Sequence, residues 1–252
     1  MLVARAAAAL IALTLLAPLA ASAADQTLHV YGPGGPSPAM QDAARQFSAQ
    51  HHVTVDVVAG PTPAWREKAL QDADVIYSGS ENMMTDYIAQ LPQIDLKTVR
   101  PMYLRPAAIL VHPGNPLHIT GIASLLKPGM RVIVVQGAGQ TGMWEDIAGR
   151  LGDLNTVRTL RSNIVSFAPN SAVALQQWSK PDTADAWIIY NIWQVAHPTV
   201  AETVAIEPQY AIWRDADISL TTRGQSEPLA HAFYDYLLSP AGAAIFARWG
   251  WK

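Results

Sequence analysis

The sequence predicts an α/β protein of two lobes with a ligand cleft between them. Six times a short run of β-branched and apolar residues breaks into a small polar loop and then a helical pattern: at Val30–Ser37, Val58–Pro63, Ile76–Asn82, Val135–Thr141, Phe167–Ser171 and Ile189–Asn191. The strand–helix alternation also stops at one long apolar strand, Leu104–Val111, and restarts beyond it. The last part of the chain then returns to extended structure and two amphipathic helices. Alternating strands and helices argue a mostly parallel sheet covered on both faces, and the interruption argues a second lobe inserted into the first.

The elements follow in order. Thr27–Tyr31 reads as a strand, and Met40, Ala43, Ala44 and Phe47 then repeat at helical spacing. His51-His52 is a polar stretch before the second strand, Val53–Val58. Thr62 followed by Pro63 reads as an N-cap and first helical residue, with Trp65 and Ala69 on the buried side. Ala73–Tyr77 is the third strand, and Ser80 caps a helix whose Met84, Tyr87, Ile88 and Leu91 are spaced i, i+3, i+4, i+7. After Leu104–Val111 and the turn Pro113-Gly114-Asn115-Pro116, the second alternation begins at Arg131–Val135 and runs to about Glu207. Tyr210–Leu220 is extended. Leu229, Ala232, Phe233, Tyr236 and Leu237 share one helical face, and Ala241, Ala244 and Ile245 another.

The first lobe is therefore expected to comprise residues 24–106 and 208–252, and the inserted lobe residues 107–207. Residues 1–23 read as a secretory signal peptide: a one-charge start at Met1–Arg5, an apolar Ala6–Leu19 and a small-residue Ala21-Ser22-Ala23 cleavage site. Cleavage is expected after Ala23 or Ala24, and the mature protein in the periplasm. The chain has no cysteine, hence no disulfide and no lipid-modified N-terminal Cys. No later stretch is long and apolar enough to insert stably into a membrane. Half the residues are apolar and 15% charged, enough for a sizeable core. The formal net charge of −3 becomes −4 without Arg5, and no basic run offers a footprint for nucleic acid.

The loops are rich in hydroxyls, amides and glycine N–H groups and poor in acids, bases and nucleophiles. Gly137-Ala138-Gly139-Gln140-Thr141-Gly142 lacks the Lys-Ser/Thr ending of a P-loop. It suits an oxyanion through backbone N–H groups at a helix start, opened by Gln140 and Thr141; read blandly, it is a tight strand–helix turn. Asn170-Ser171 and Ser78–Asn82 carry the same two readings, capping and ligand contact. The histidines show no metal-ligand spacing, no G-x-S-x-G elbow appears, and Glu145-Asp146 suits a helix dipole better than acid–base chemistry. No enzyme activity, metal or cofactor is expected.

Arg105 is a cation inside an apolar strand and needs a partner, either a buried carboxylate or a bound anion. Of the eight tryptophans, Trp187, Trp193, Trp213, Trp249 and Trp251 fall in apolar segments as core or lobe-interface residues, with one or two open to the cleft.

Several motifs occur together: Tyr31-Gly32-Pro33-Gly34-Gly35-Pro36, Ala59-Gly60-Pro61-Thr62-Pro63-Ala64-Trp65, Ser78–Asp86, Tyr103-Leu104-Arg105-Pro106, Gly137-Ala138-Gly139-Gln140, Trp144-Glu145-Asp146, Trp187–Ala196 and Trp249-Gly250-Trp251-Lys252. In this combination the chain resembles the accessory colonization factor AcfC family of exported solute-binding proteins over essentially its whole mature length. The resemblance implies a type II periplasmic binding protein fold, related to molybdate- and sulfate-binding proteins. It also implies a small anionic ligand, an oxyanion or a carboxylated or phosphorylated metabolite. In one departure, Ala64 stands where members of that family often carry Lys, so a cation near the ligand would be missing.

The expected function is capture of a small anion in the cleft and delivery to an inner-membrane ABC-type permease. A surface adhesion role is suggested by the family's name alone, and a hydrolase or transferase would need a catalytic constellation that the sequence does not show. First-lobe contacts are expected from Gly35, Thr62 and Ser80, and second-lobe contacts from Gly139, Gln140, Thr141, Asn170 and Ser171. Tyr190 and Asn191 are further candidates, with Arg105 at the crossing.

Overall fold

The computed structural model describes residues 27–252; the expected leader and cleavage site lie outside them. The chain opens with β1 (Thr27–Gly32), α1 (Ser37–His51), β2 (Thr54–Ala59), α2 (Thr62–Asp72), β3 (Val75–Tyr77), α3 (Glu81–Gln90) and the long β4 (Arg100–Val111). It continues with α4 (Ile122–Leu125), β5 (Val132–Val135), α5 (Met143–Ala148), α6 (Leu154–Asn163), β6 (Ile164–Ala168), α7 (Ser171–Trp178), β7 (Ala186–Tyr190), α8 (Ile192–Ala196) and β8 (Glu202–Ala205). The chain returns through β9 (Trp213–Leu220), α9 (Thr222–Gln225), α10 (Pro228–Leu237) and α11 (Pro240–Arg248).

The strand order is β2-β1-β3-β9-β4-β7-β5-β6, with β8 also paired to β4. Strands β1, β2 and β3 run parallel, as do β5, β6 and β7, whereas β9 and β4 run antiparallel to their neighbours. Strand β4 changes partners along its length. Arg100–Pro106 pairs with β9, and Ala107–Val111 pairs with β7 and β8. Its two prolines stand where the ladder breaks: the register shifts after Pro101, and Pro106 ends the β9 pairing. Proline has no N–H to give to a ladder, so strands accept it at such bulges and partner changes.

Four expectations need correction. Strand β4 starts at Arg100 rather than Leu104; its first residues are largely exposed and present no apolar run. Strands β2 and β6 are half-exposed sheet edges, not buried strands. Thr62 is the first residue of α2 and Pro61 holds the cap position, without a side-chain capping bond. On α11 the buried residues are Gly242, Ile245 and Phe246, while Ala241 and Ala244 are exposed. The apolar character of alanine says little about which helix face is covered. Strand β8 had no counterpart in the sequence reading.

The C-terminal helices pack on α1. Phe47 lies edge-on to Phe233 at 5.1 Å between ring centres and 5.5 Å from Tyr236, while Arg248 Nη2 donates to Asp42 Oδ2 at 3.0 Å. No helix among the described residues is long and apolar enough to cross a membrane.

Candidate anion-binding cleft

The strand-end loops of β1–β3 lie on one side of their strands, as do those of β5–β7, and the single sheet continuous through β9 and β4 brings both sets to one cavity. The cavity they enclose, about 110 Å³, is lined by Pro33, Gly34, Gly35 and Pro36 before α1, by Gly60, Pro61 and Thr62 at α2, and by Gly79, Met83 and Tyr87 at α3. The loops after β5, β6 and β7 contribute Gly139, Gln140, Asn170, Ser171, Ala172, Tyr190, Ile192 and Trp193, and Arg105 of β4 completes the lining.

Arg105 is the single charged side chain of this lining, and the lining holds no acid. It is 3% exposed. Its Nη1 donates to the Asp215 carbonyl at 2.6 Å and its Nη2 to the Gly79 carbonyl. The guanidinium carbon stands 3.8 Å from the centre of the Tyr190 ring and 4.5 Å from that of Trp251, so two aromatic faces favour the cation. No carboxylate lies within salt-bridge distance of it among the described residues. Of the two partners considered for Arg105, the buried carboxylate pair is therefore absent from its contacts. Burial lowers its pKa to about 10, with Tyr190, Asp215 and Asp217 opposing that shift. At neutral pH it remains charged.

Each helix start is set by local chemistry. Ser80 Oγ accepts from Met83 N at 3.2 Å and caps α3; Asn170 Oδ1 accepts from Val173 N at 3.0 Å and caps α7. Pro38 and Pro63 sit in the first turns of α1 and α2, where an N–H would have no intrahelical partner. That choice also removes two N–H groups that could have faced an anion, which shifts the electrostatic weight onto Arg105. After β5, Ala138–Gln140 forms a 3₁₀ turn and α5 begins only at Met143, past Gly142 with φ of +74°. Thr141 therefore does not open a helix, contrary to expectation.

Eight of the eleven expected site residues line the cavity: Gly35, Thr62, Arg105, Gly139, Gln140, Asn170, Ser171 and Tyr190. Ser80, Thr141 and Asn191 do not. The Ser80 hydroxyl serves the α3 cap, Thr141 is exposed, and Asn191 Nδ2 donates to the Gly250 carbonyl at 2.8 Å. Gly139 lines the cavity and also lets the lobes approach: a Cβ there would stand 2.8 Å from Ser80 Oγ and 2.9 Å from the Gly79 carbonyl oxygen. Ala64 is exposed and outside the lining, so the departure noted in the sequence leaves the cavity wall unchanged. The sequence reading missed the apolar wall. Met83 and Tyr87 stand i, i+4 on α3, and Ile192 follows β7 directly; Trp193 is the tryptophan that opens to the cleft. Their helical spacing with core residues hid them. Trp213, expected in the core, is 38% exposed with Lys252 Nζ over its ring.

Comparison with known proteins places this architecture. The family described as bacterial extracellular solute-binding protein matches residues 28–252. Peb3 from Campylobacter jejuni is 34% identical, with a TM-score of 0.83 over 89% of this chain and 99% of that one. A structure of PEB3 with L-phospholactate bound gives 34% identity and a TM-score of 0.85 at the same coverage. The periplasmic molybdate-binding protein of Azotobacter vinelandii shares the fold at 17% identity, with a TM-score of 0.68 over 89% of this chain and 98% of that one. No curated relative matches the chain. A family match spanning both lobes, and PEB3 aligned over nearly its full length, agree with the motifs that first suggested AcfC: the chain belongs to the bacterial extracellular solute-binding protein family, in its AcfC- and PEB3-like branch.

Proposed function

We propose that this protein captures a small organic anion between its lobes in the periplasm and hands it to an ABC-type importer. The observation that carries the reading is Arg105, a buried cation that has no carboxylate partner among the described residues and borders a cavity whose lining contains no acid. An unpaired buried charge is costly, and an anion in the cleft offsets that cost while Tyr190 and Trp251 hold the guanidinium in place. The apolar wall of Met83, Tyr87, Ile192 and Trp193 suits a ligand with a carbon skeleton better than a bare tetrahedral oxyanion. L-phospholactate, bound by PEB3, is of that kind.

In this reading the lobes are residues 24–106 with 208–252, and residues 107–207. The lobes hinge where β4 changes partners at Pro106–Ala107 and where the chain returns between Pro208 and Arg214. A ligand touching both lobes favours the closed state through its differential affinity. A thermal-shift screen of carboxylates, phosphorylated acids and inorganic oxyanions, followed by titration calorimetry, tests this. Stoichiometric binding of an organic anion without turnover is the expected result; stabilisation by neutral sugars or cations alone refutes it. Loss of uptake of that anion in a deletion strain checks the importer step.

A further inference from the structure

The three residues after α11, Gly250–Lys252, fold back onto the place where the chain crosses between the proposed lobes. Gly250 makes the turn with φ of +86°, and a Cβ there would stand 2.8 Å from Asn191 Nδ2, so glycine is what permits the contact. The Gly250 carbonyl accepts from that Nδ2 at 2.8 Å, between β7 and α8. Trp251 is buried and lays its ring against the Arg105 guanidinium. Lys252 and Leu104 exchange both backbone hydrogen bonds, each at 2.7 Å, as a bonded pair of an antiparallel ladder does. Leu104 stands opposite Asp215 of β9 in the register, so Lys252 takes the other edge of β4. Lys252 Nζ also lies 4.8 Å from the centre of the Trp213 ring, at the start of β9. Neither these three residues nor Asn191 line the cavity.

We propose that Gly250–Lys252 braces the hinge: it holds the angle between the lobes through Asn191 and Leu104 and backs Arg105 through Trp251, without touching the ligand. Asn191 and the three brace residues are thus positioning residues for the cleft. The inference rests on the two-lobe reading and adds what restrains the movement. Asn191 belongs to residues 107–207 and Gly250 to residues 208–252, so their bond spans the two lobes. Leu104 precedes the partner change at Pro106–Ala107 by two residues. Without Lys252 its backbone groups would face solvent, and segments with solvated backbone bonds open easily. With the brace in place, rotation at Pro106–Ala107 either breaks the Asn191 bond or carries the segment along and pulls Trp251 from Arg105. Both routes oppose opening.

The test measures the angle between the lobes directly. The chain has no cysteine, so spin labels go on at Gln50→Cys of α1 and Arg158→Cys of α6, both exposed. Pulsed dipolar spectroscopy then gives the distances between them, without ligand and with L-phospholactate as the probe. Asn191→Leu removes the bond to Gly250, and Lys252→Pro removes one donor of the Leu104 pair. Each should raise the population of longer distances in the ligand-free protein about threefold or more, the effect of losing one hydrogen bond. Lys252→Ala keeps the backbone pair and should match the wild type. Melting curves show that each variant is folded at the temperature of labelling. Wild-type distances in both Asn191→Leu and Lys252→Pro, with a wild-type chain that responds to the probe, overturn the brace and leave the two lobes standing. An equal lengthening in Lys252→Ala and Lys252→Pro also overturns it, by assigning the effect to the side chain. Distances that neither the variants nor the probe change overturn the movement of the lobes as well.

Discussion

Arg105 takes up all the themes of the site at the scale of one residue. Two carbonyls and two aromatic rings hold it, and none of them neutralises it. Replacing it by Gln should lower affinity for the anion at least about tenfold, since hydrogen bonds to charged groups contribute about 1.5–3 kcal/mol. Arg105→Lys should not rescue binding, because a lysine cannot stack as a planar fork between Tyr190 and Trp251. Calorimetry beside thermal melting separates this from a folding defect; unchanged affinity in both variants would place the anion elsewhere. Behind Arg105 lies a second buried charge. Asp217 is fully buried, and Ser78 Oγ lies 2.7 Å from its Oδ2. Burial, then the neighbouring Asp215 and Glu81, raises its pKa to about 6 against the bond from Ser78. The folded state therefore holds a proton that the unfolded chain releases near its ordinary pKa of about 3.9. Its contribution to stability is complete below about pH 4 and falls as pH rises through about 6, by on the order of 3 kcal/mol. Asp217→Asn should flatten that fall in urea denaturation at pH 4, 5, 6 and 7; an unchanged slope would assign the pH dependence to other groups.

At the scale of the element, the helix starts and the 3₁₀ turn decide the shape of the cleft. Ser80→Ala removes the α3 cap and should cost about 1 kcal/mol of stability, read by denaturant titration, with little direct effect on the ligand because Ser80 does not line the cavity. The turn at Gly139 is more sensitive. Its missing side chain is what allows Ala138–Gln140 to sit against Gly79 and Ser80 across the cleft. Gly139→Val should leave each lobe folded while weakening ligand binding by about tenfold or more, since closure must then displace backbone atoms that have little freedom to move. A larger radius of gyration in the presence of ligand, by small-angle scattering, is the accompanying sign; wild-type affinity in the valine variant would show that the lobes need not approach so closely.

At the scale of the molecule, an ion pair links the return strand β9 to the part of the chain proposed as the second lobe. Arg214 at the start of β9 pairs with Asp146 on α5, and both side chains are partly exposed. Such a pair contributes about 0–1 kcal/mol, so Arg214→Ala should leave the melting temperature nearly unchanged. The ligand is the larger coupling: at 100-fold over its Kd it should add about 2.7 kcal/mol to the unfolding free energy. Chemical denaturation at fixed ligand concentration measures both effects on one scale.

The elements and their alternation were legible in the amino-acid order, because hydrophobic period and turn chemistry are local and survive in any context. The Ser80 and Asn170 caps, the long β4 and the donor-rich strand ends at Gly35, Gln140 and Ser171 were legible in this way. Arg105 stood out for the same reason, as a charge where the local pattern required an apolar residue. Only the tertiary structure decided which loop residues face the cavity. Whether Ser80 Oγ caps a helix or meets a ligand, whether Asn191 turns to Gly250, and whether Met83 and Tyr87 belong to the core or to the cleft wall depend on what stands opposite. Those opposing atoms lie far away in the chain: Gly139 against Ser80, Gly250 against Asn191, and Trp251 and Tyr190 against Arg105. A residue's partners across a cleft leave no periodic trace in its own segment, so only the folded arrangement of the two lobes decides them.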